Sequence, residues 1–236
     1  MDPKVKLISQ KEREGKASAI NLFLKEVKGE VCILESADTL PVSNTISELV
    51  KPFNDSKIGM TGGHPVPVND PKTFLGYTNH LLWNLHHKIA LRHPKLGEMV
   101  AFRNVIESIP VETAVDEISI EARIKQKWYE LVYVPEAIVY NKGAENVSDF
   151  IKQRRRIYVG HLWAKKYQNY EASTMNVLRI LLLLFGEVKY TIKNIIFTVG
   201  SVCLEAYCRF LGYYDFYIKK VNPYKWDIAG STKKLK

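Results

Sequence analysis

Apolar residues along the chain follow two spacings, which predict strands and helices in alternation. Continuous apolar runs such as Val31–Leu34 are typical of strands buried in a parallel sheet. Apolar positions three or four residues apart are typical of helices that pack one face on such a sheet. Strands are predicted at 5–8, 31–34, 58–61, 98–102 and 128–134, a proline- and glycine-rich loop at 62–71, and helices at 15–28, 43–53, 76–92, 115–127 and 147–167. The alternation predicts an α/β fold with a mostly parallel sheet.

The pattern changes after about residue 170, and we therefore predict two parts, 1–170 and 171–236. Segments 175–185 and 192–214 are rich in apolar and aromatic residues, and the tail 219–236 carries six lysines against one aspartate. Apolar helices interrupted by charges and followed by lysines suit a membrane interface. The alternative is that these helices pack on the rest of the domain or on a second subunit.

The charge balance narrows the class of partner. Of 236 residues, 34 are Lys or Arg and 25 are Asp or Glu, which gives a net charge of +9. This surplus favours an anionic ligand such as phosphate, nucleic acid or anionic lipid. The sequence has no zinc spacing, helix-turn-helix or basic strand with interleaved aromatic residues, so we do not predict nucleic-acid binding. Three cysteines are too few for a disulfide framework.

Three short segments carry candidate chemistry. Asp38 follows the strand 31–34, where open α/β sheets bind ligands, and it is either a metal ligand or a helix cap. Asp116 and Glu117 open a predicted helix, where they either complement the helix dipole or supply a catalytic base. On the helix 147–167, Gln153, Arg156 and Ile157 share one face, whereas Arg154 and Arg155 are predicted to form a solvated basic face. The six histidines are predicted to be structural or surface residues.

Five segments in a fixed order resemble the family 2 glycosyltransferases, which have the GT-A fold. The resemblance covers about residues 4–170. The segments are Arg13-Glu14-Gly15-Lys16-Ala17-Ser18-Ala19-Ile20-Asn21, Ser36-Ala37-Asp38, Gly97-Glu98-Met99-Val100-Ala101-Phe102-Arg103, Thr113-Ala114-Val115-Asp116-Glu117 and Gln153-Arg154-Arg155-Arg156-Ile157.

The resemblance implies an inverting transfer of a sugar from a nucleoside-diphosphate sugar to a hydroxyl acceptor. It assigns Arg13, Lys16, Gln153 and Arg156 to the donor diphosphate. It also assigns Asp38 to a Mg²⁺ or Mn²⁺ ion on that diphosphate.

The remaining expectations concern the base, the acceptor and the location. Glu117 falls where the family has its catalytic base, with Asp116 as the competing residue. The lysine-rich tail, rather than the resemblance, leads us to expect that the enzyme acts at the cytoplasmic face of a membrane and that the acceptor is a glycan or lipid-linked.

Four departures from the family pattern change these expectations. Ser36 replaces the first aspartate of the Asp-x-Asp metal motif, Asp116-Glu117 reverses the commoner Glu-Asp order, and Ile157 replaces a tryptophan. The strand-helix-strand unit with which the family usually begins is not recognisable. The alternative function is therefore a non-catalytic remnant, or one half of a split glycosyltransferase that needs a partner subunit.

Overall fold

The computed structural model describes residues 4–187, 191–225 and 232. Its strands and helices alternate for most of the chain, as the hydrophobic pattern predicts. In chain order they are α1 (Lys16–Glu26), β1 (Val31–Leu34), β2 (Thr39–Pro41), α2 (Thr45–Val50), β3 (Ile58–Pro67), α3 (Phe74–Ala90), β4 (Val100–Arg103), α4 (Asp116–Gln126), β5 (Glu130–Asn141), α5 (Val147–Gln168), α6 (Val177–Glu187) and α7 (Ile192–Tyr213). Short 3₁₀ turns follow α2 and precede α6, and a π-helical turn, Tyr214–Lys219, continues α7.

The five-stranded sheet is mixed, which corrects the prediction of a mostly parallel one. Its strand order is β1-β4-β3-β5-β2. Only the pair β3–β5 is parallel, whereas β1–β4, β3–β4 and β2–β5 are antiparallel. The strand β1 is therefore an antiparallel edge strand, in which Cys32 alone is buried. A short apolar run does not encode the direction of the neighbouring strand, so a parallel strand and an antiparallel strand cannot be distinguished from this pattern.

The central strands are longer than the sequence predicts. Strand β3 continues to Pro67 through the predicted loop 62–71, and β5 continues through Pro135 to Asn141. The glycines in β3 are required by close packing, because a Cβ at Gly62 would lie 2.6 Å from Cβ of Leu96. A register shift between Gly62 and His64 accommodates the irregular sequence. Residues 5–8, predicted as a strand, lie outside the sheet and are mostly exposed.

The main core lies between the sheet and the helices α1 and α4. Ala17 and Ile20 of α1 and Ile120 and Ile124 of α4 pack in one buried cluster with strand residues such as Phe102. Because α1 and α4 share this core, the N-terminal ends of both helices are fixed relative to the edge of the sheet. Those two ends carry the residues of the candidate site.

The C-terminal helix α7 packs on the α/β unit through its small and polar face. Tyr77 Oη lies 2.7 Å from Thr198 Oγ1, and Thr78 Oγ1 lies 2.7 Å from Ser201 Oγ. Gly212 approaches α5 so closely that a Cβ there would lie 3.0 Å from the carbonyl oxygen of Arg155. The predicted alternative of packing on the domain is therefore correct for one face of α7.

Candidate active site

The segments singled out in the sequence converge on one cleft of about 840 Å³. It is bounded by the start of α1, the loop after β1, the start of α4, one face of α5 and part of α7. The sequence-predicted residues that line it are Lys16, Ser36, Asp38, Asp116, Glu117, Gln153 and Arg156. Arg13 is exposed and is not among the residues that line the cleft.

Lys16 is the electrostatic centre of the cleft. Its ammonium nitrogen lies 2.7 Å from Oδ2 of Asp116 and 3.0 Å from Oε1 of Glu117. The same nitrogen lies 3.4 Å from Oγ of Ser36, which joins the loop after β1 to the start of α4. Burial alone would lower the pKa of Lys16, but the carboxylates of Glu117 and Asp116 raise it well above its usual value. Lys16 is therefore a permanent cation.

Local structure places Lys16 in this position. Gly15 caps α1 with φ of 102°, a left-handed conformation that glycine adopts without strain and that turns the chain into the cleft. Asn21, one turn further along α1, fixes the loop that leads to α4. Its Nδ2 donates to the carbonyl oxygen of Ile109 at 2.8 Å, and its Oδ1 accepts from the amide of Ile109 at 2.8 Å. These bonds hold the two helix starts in register.

The carboxylates of Asp116 and Glu117 differ in environment although they are adjacent. The side chain of Asp116 is 6% exposed and that of Glu117 is 19% exposed. Burial, together with the charge of Glu117, raises the pKa of Asp116. Burial would also raise the pKa of Glu117, but Lys16 and Lys95 lower it. Glu117 is therefore ionised, and it is the more exposed of the two carboxylates in the cleft.

The side chains around Asp38 do not fit a complete protein-borne metal site. Asp38 is the one carboxylate of the predicted metal motif, because Ser36 occupies the position of the other. Within the described ranges, no group of three His, Cys, Asp or Glu side chains could hold a metal ion. A divalent ion ligated through Ser36 would also lie beside the ammonium of Lys16, which would repel it.

Helix α5 lines the cleft with every residue from Ile151 to Tyr158, and Gln153 and Arg156 are among them. Nη1 of Arg156 lies 3.5 Å from the carbonyl oxygen of Ala114, next to the start of α4. Burial lowers the pKa of Arg156, and the carboxylates of Asp116 and Glu117 counteract this effect. The cleft therefore holds a second, partly buried cation that interacts with the same two carboxylates as Lys16.

Arg154 and Arg155 do not form the solvated basic face that the sequence predicted. Arg154 makes two hydrogen bonds of 2.8 Å to Glu205 of α7, and Arg155 pairs with Asp215 of the π-helical turn. The acidic partners lie more than 50 residues further along the chain, so helical spacing within α5 gave no sign of them. These pairs make α7 one wall of the cleft.

Sequence reasoning assigned no role to several other residues of the cleft. Glu98 has a left-handed backbone with φ of 61°, and burial and the charge of Glu117 raise the pKa of its carboxyl. Its membership of a family-like segment was the available signal. His161 lies one turn after Ile157, and burial lowers its pKa to about 3. Lys95, Asn141 and His86 also line the cleft.

Comparison with known proteins matches the N-terminal part of the chain to a family. Residues 1–104 match the model of glycosyl transferase family 2, in agreement with the resemblance that the motifs carry. No curated protein matches the chain.

The chain is also similar to solved structures. A mannosyltransferase from Pyrobaculum calidifontis, solved with GDP-Man and Mn²⁺, is 20% identical with a TM-score of 0.53, and the match covers 93% of this chain and 64% of that one. A glucosyl-3-phosphoglycerate synthase from Mycobacterium tuberculosis, solved with Mn²⁺, UDP-glucose and phosphoglyceric acid, is 16% identical with a TM-score of 0.41, over 69% of this chain and 57% of that one. The chain thus spans less than two thirds of either protein. The first likeness confirms the predicted GT-A type of α/β fold.

Proposed function

We propose that this chain, whose residues 1–104 carry the glycosyl transferase family 2 match, transfers a sugar from a nucleoside-diphosphate sugar to a hydroxyl acceptor with inversion. The observation that carries the proposal is the convergence of Lys16, Glu117 and Arg156 in one cleft, although they lie far apart in the sequence. A cleft with buried cations and ionised carboxylates suits a diphosphate leaving group and a hydroxyl nucleophile. The fold shared with a mannosyltransferase solved with GDP-Man supports a nucleotide-sugar donor.

Glu117 is the proposed general base, with Asp116 as its buried neighbour. Glu117 takes the proton of the acceptor hydroxyl while the oxygen attacks the anomeric carbon. The bond between that carbon and the diphosphate oxygen breaks, a glycosidic bond forms on the opposite face, and the nucleoside diphosphate leaves. The greater exposure of Glu117 in the cleft, 19% against 6% for Asp116, favours it for this contact.

The cations of the cleft act on the leaving group in this proposal. Negative charge grows on the diphosphate as the bond to the sugar breaks, and Lys16 and Arg156 stabilise it. Arg156 suits this role because a guanidinium binds phosphate oxygens through two parallel hydrogen bonds. Gln153 lies on the same face of α5 and is the proposed polar contact to the donor. Arg13 is exposed, so we do not propose it as a contact of the diphosphate within the cleft.

The test is the release of GDP from GDP-Man, or of UDP from UDP-glucose, by the full chain, with Glu117→Gln as the decisive variant. Removal of a general base costs about 10²–10⁴-fold in turnover. The exposed Glu107→Gln, with the same chemical change outside the cleft, is expected to keep wild-type turnover. A Glu117→Gln variant with more than about a tenth of wild-type turnover would exclude Glu117 as the base.

Calorimetric titration with GDP and UDP separates catalysis from binding. Glu117→Gln is expected to bind the nucleotide while failing to turn over the donor. If the folded wild-type chain binds neither nucleotide, the alternative of a non-catalytic remnant or a partner-dependent subunit replaces the proposal.

We also propose that the chain works on the cytoplasmic surface of an anionic membrane, with a glycan or lipid-linked acceptor. Within the described residues, the stretch Ile192–Lys219 is long and apolar enough to cross a membrane by length and composition. Its small and polar face is already packed on α3 and α5, which favours a helix that lies on the surface. The opposite face is exposed and apolar and includes Ile196, Val199 and Phe210.

A further inference from the structure

We propose that the ammonium of Lys16 takes the place of a divalent cation in this cleft, so that the chain binds a nucleoside diphosphate without metal. This inference rests on the proposed function, because it concerns the donor site of that reaction. It concerns Ser36, Asp38 and Lys16, which the structure brings to one wall of the cleft.

The cleft supplies few protein ligands for a divalent ion. A divalent ion that bridges phosphates is usually held by one or two carboxylates, together with the phosphates and water. Here Asp38 supplies one carboxylate and Ser36 supplies a hydroxyl, which is a far weaker ligand for Mg²⁺ or Mn²⁺. The described residues contain no group of three His, Cys, Asp or Glu side chains that could hold a metal ion, so an ion here would depend on Asp38, the phosphates and water.

The ammonium of Lys16 already places a positive charge beside Ser36. The ammonium of Lys16 lies 3.4 Å from the hydroxyl of Ser36 and within 3.0 Å of both Asp116 and Glu117. Its single positive charge therefore already offsets part of the negative charge of these two carboxylates. A divalent ion ligated by Ser36 would lie only a few ångströms from this ammonium, and the two charges would repel each other in a partly buried site.

A bound diphosphate needs positive charge around it, and the chain itself can supply that charge. An ammonium carries three donors, and two of those of Lys16 point to Asp116 and Glu117, so the third, now 3.4 Å from Ser36, is available for a phosphate oxygen. Arg156 supplies a second, partly buried cation, which interacts with Asp116 and Glu117 in the same cleft. Two cations from the chain thus meet the diphosphate without a metal.

The experiment is calorimetric titration of the full chain with GDP and UDP, once with saturating Mn²⁺ and once with EDTA. The dissociation constants are expected to agree within about threefold, whereas loss of a charge-assisted contact would change them about tenfold or more. Mn²⁺ alone is expected to produce no binding heat. Binding with Mn²⁺ but not with EDTA overturns the inference and leaves the proposed function intact, whereas no binding in either condition overturns both.

An exchange of charges provides the sharper test. Lys16→Ala is expected to weaken nucleotide binding in EDTA about tenfold or more, and Lys25→Ala, an exposed lysine on the same helix, to leave it unchanged. The double variant Lys16→Ala with Ser36→Asp restores a carboxylate pair and removes the ammonium. Its nucleotide binding is expected to return with Mn²⁺ only. A double variant that binds equally well with EDTA contradicts the inference. The melting temperature of each variant verifies that it is folded.

Discussion

Glu98 carries backbone strain inside the cleft. It is one of four non-glycine residues with positive φ in the described chain, and the one of these that lines the cleft. Side chains with a Cβ adopt this conformation at a cost of about 1–2 kcal/mol, which glycine does not incur. Strain of this kind is common where a side chain is held for a purpose other than stability. The buried carboxyl of Glu98 faces Lys16, Lys95, Glu117 and Asn141, which are residues of the cleft.

The strain at Glu98 predicts an inverted order of stability for two truncations. Glu98→Gly and Glu98→Ala remove the same carboxyl, but only alanine keeps a Cβ in the left-handed conformation. We expect the glycine variant to be more stable by about 1 kcal/mol, measured by urea unfolding followed by circular dichroism. In an ordinary strand or helix alanine is the more stable residue, so equal stability or a more stable alanine variant would contradict the strain.

Among individual residues, the sequence identified side chains that share the cleft, but it did not predict the contacts between them. Asp116, Glu117, Gln153 and Arg156 were identified from motif and spacing, and they do meet in one cleft. The pairing of Lys16 with both carboxylates was not predicted, since it depends on how α1 and α4 pack on the sheet. Glu98 had no assigned role, because the left-handed backbone of a glutamate leaves no mark in the sequence.

Among the elements, helix α7 is held to α5 by an ion pair between Glu205 and Arg154. Glu205 accepts two hydrogen bonds from Arg154 at 2.8 Å and one from Arg209 at 3.0 Å. Burial would raise the pKa of Glu205, but these two guanidinium groups lower it to about 2. The sequence predicted where these helices lie along the chain. It did not predict the contact between them, because that contact joins residues about 50 positions apart. Periodicity reports the faces of one helix and not its partner.

Glu205 predicts a pH-dependent contribution to stability. The pKa of Glu205 is lower in the folded chain than its ordinary value of 4.5, so its contribution is complete above pH 4.5 and is lost as pH falls towards 2. Glu205→Gln leaves the largely buried Arg154 without its carboxylate, and we expect a loss of about 3 kcal/mol at pH 7.

Chemical unfolding at pH 7 and at pH 3 measures this contribution. The difference between wild type and Glu205→Gln is expected to shrink at pH 3. The exposed Glu12→Gln serves as the matched control and should behave as wild type at both pH values. A difference that is the same at both pH values would show that the carboxylate charge does not contribute.

The molecule as a whole combines a net positive charge with an exposed apolar surface. The net charge is +9, and the outward faces of α6 and α7 expose large apolar side chains such as Leu182 (76%), Phe185 (71%) and Phe210 (65%). An apolar surface of this kind marks an interaction site more often than a solvated face. Composition predicted this segment, but only the structure shows that the opposite face of α7 is committed to the domain. The lysines at 233, 234 and 236 lie outside the described residues.

The sheet, too, was predictable only where its structure depends on residues that are close together in the sequence. Alternating elements and their approximate positions follow from spacing. The antiparallel edge strand β1 and the long path of β3 through Gly62, Gly63 and Pro65 depend on neighbours distant in sequence. Prolines and glycines predict a loop when read locally, whereas here Leu96 and Ala137 pack against those positions and keep them in the sheet.

These surfaces predict binding to anionic vesicles. The full chain is expected to co-sediment with phosphatidylglycerol vesicles at low salt and to be partly released at high salt, because screening weakens the lysine contacts.

Burial of a large apolar side chain contributes about 1.5–3 kcal/mol. The variant Leu182→Ser with Phe210→Ser should therefore bind at least about tenfold more weakly. Leu91→Ser, an exposed leucine at the end of α3, is the matched control and should sediment as wild type. A folded chain that stays in the supernatant at low salt would leave the apolar face to a protein partner, and sedimentation velocity of the same sample would then show whether that partner is a second copy of the chain.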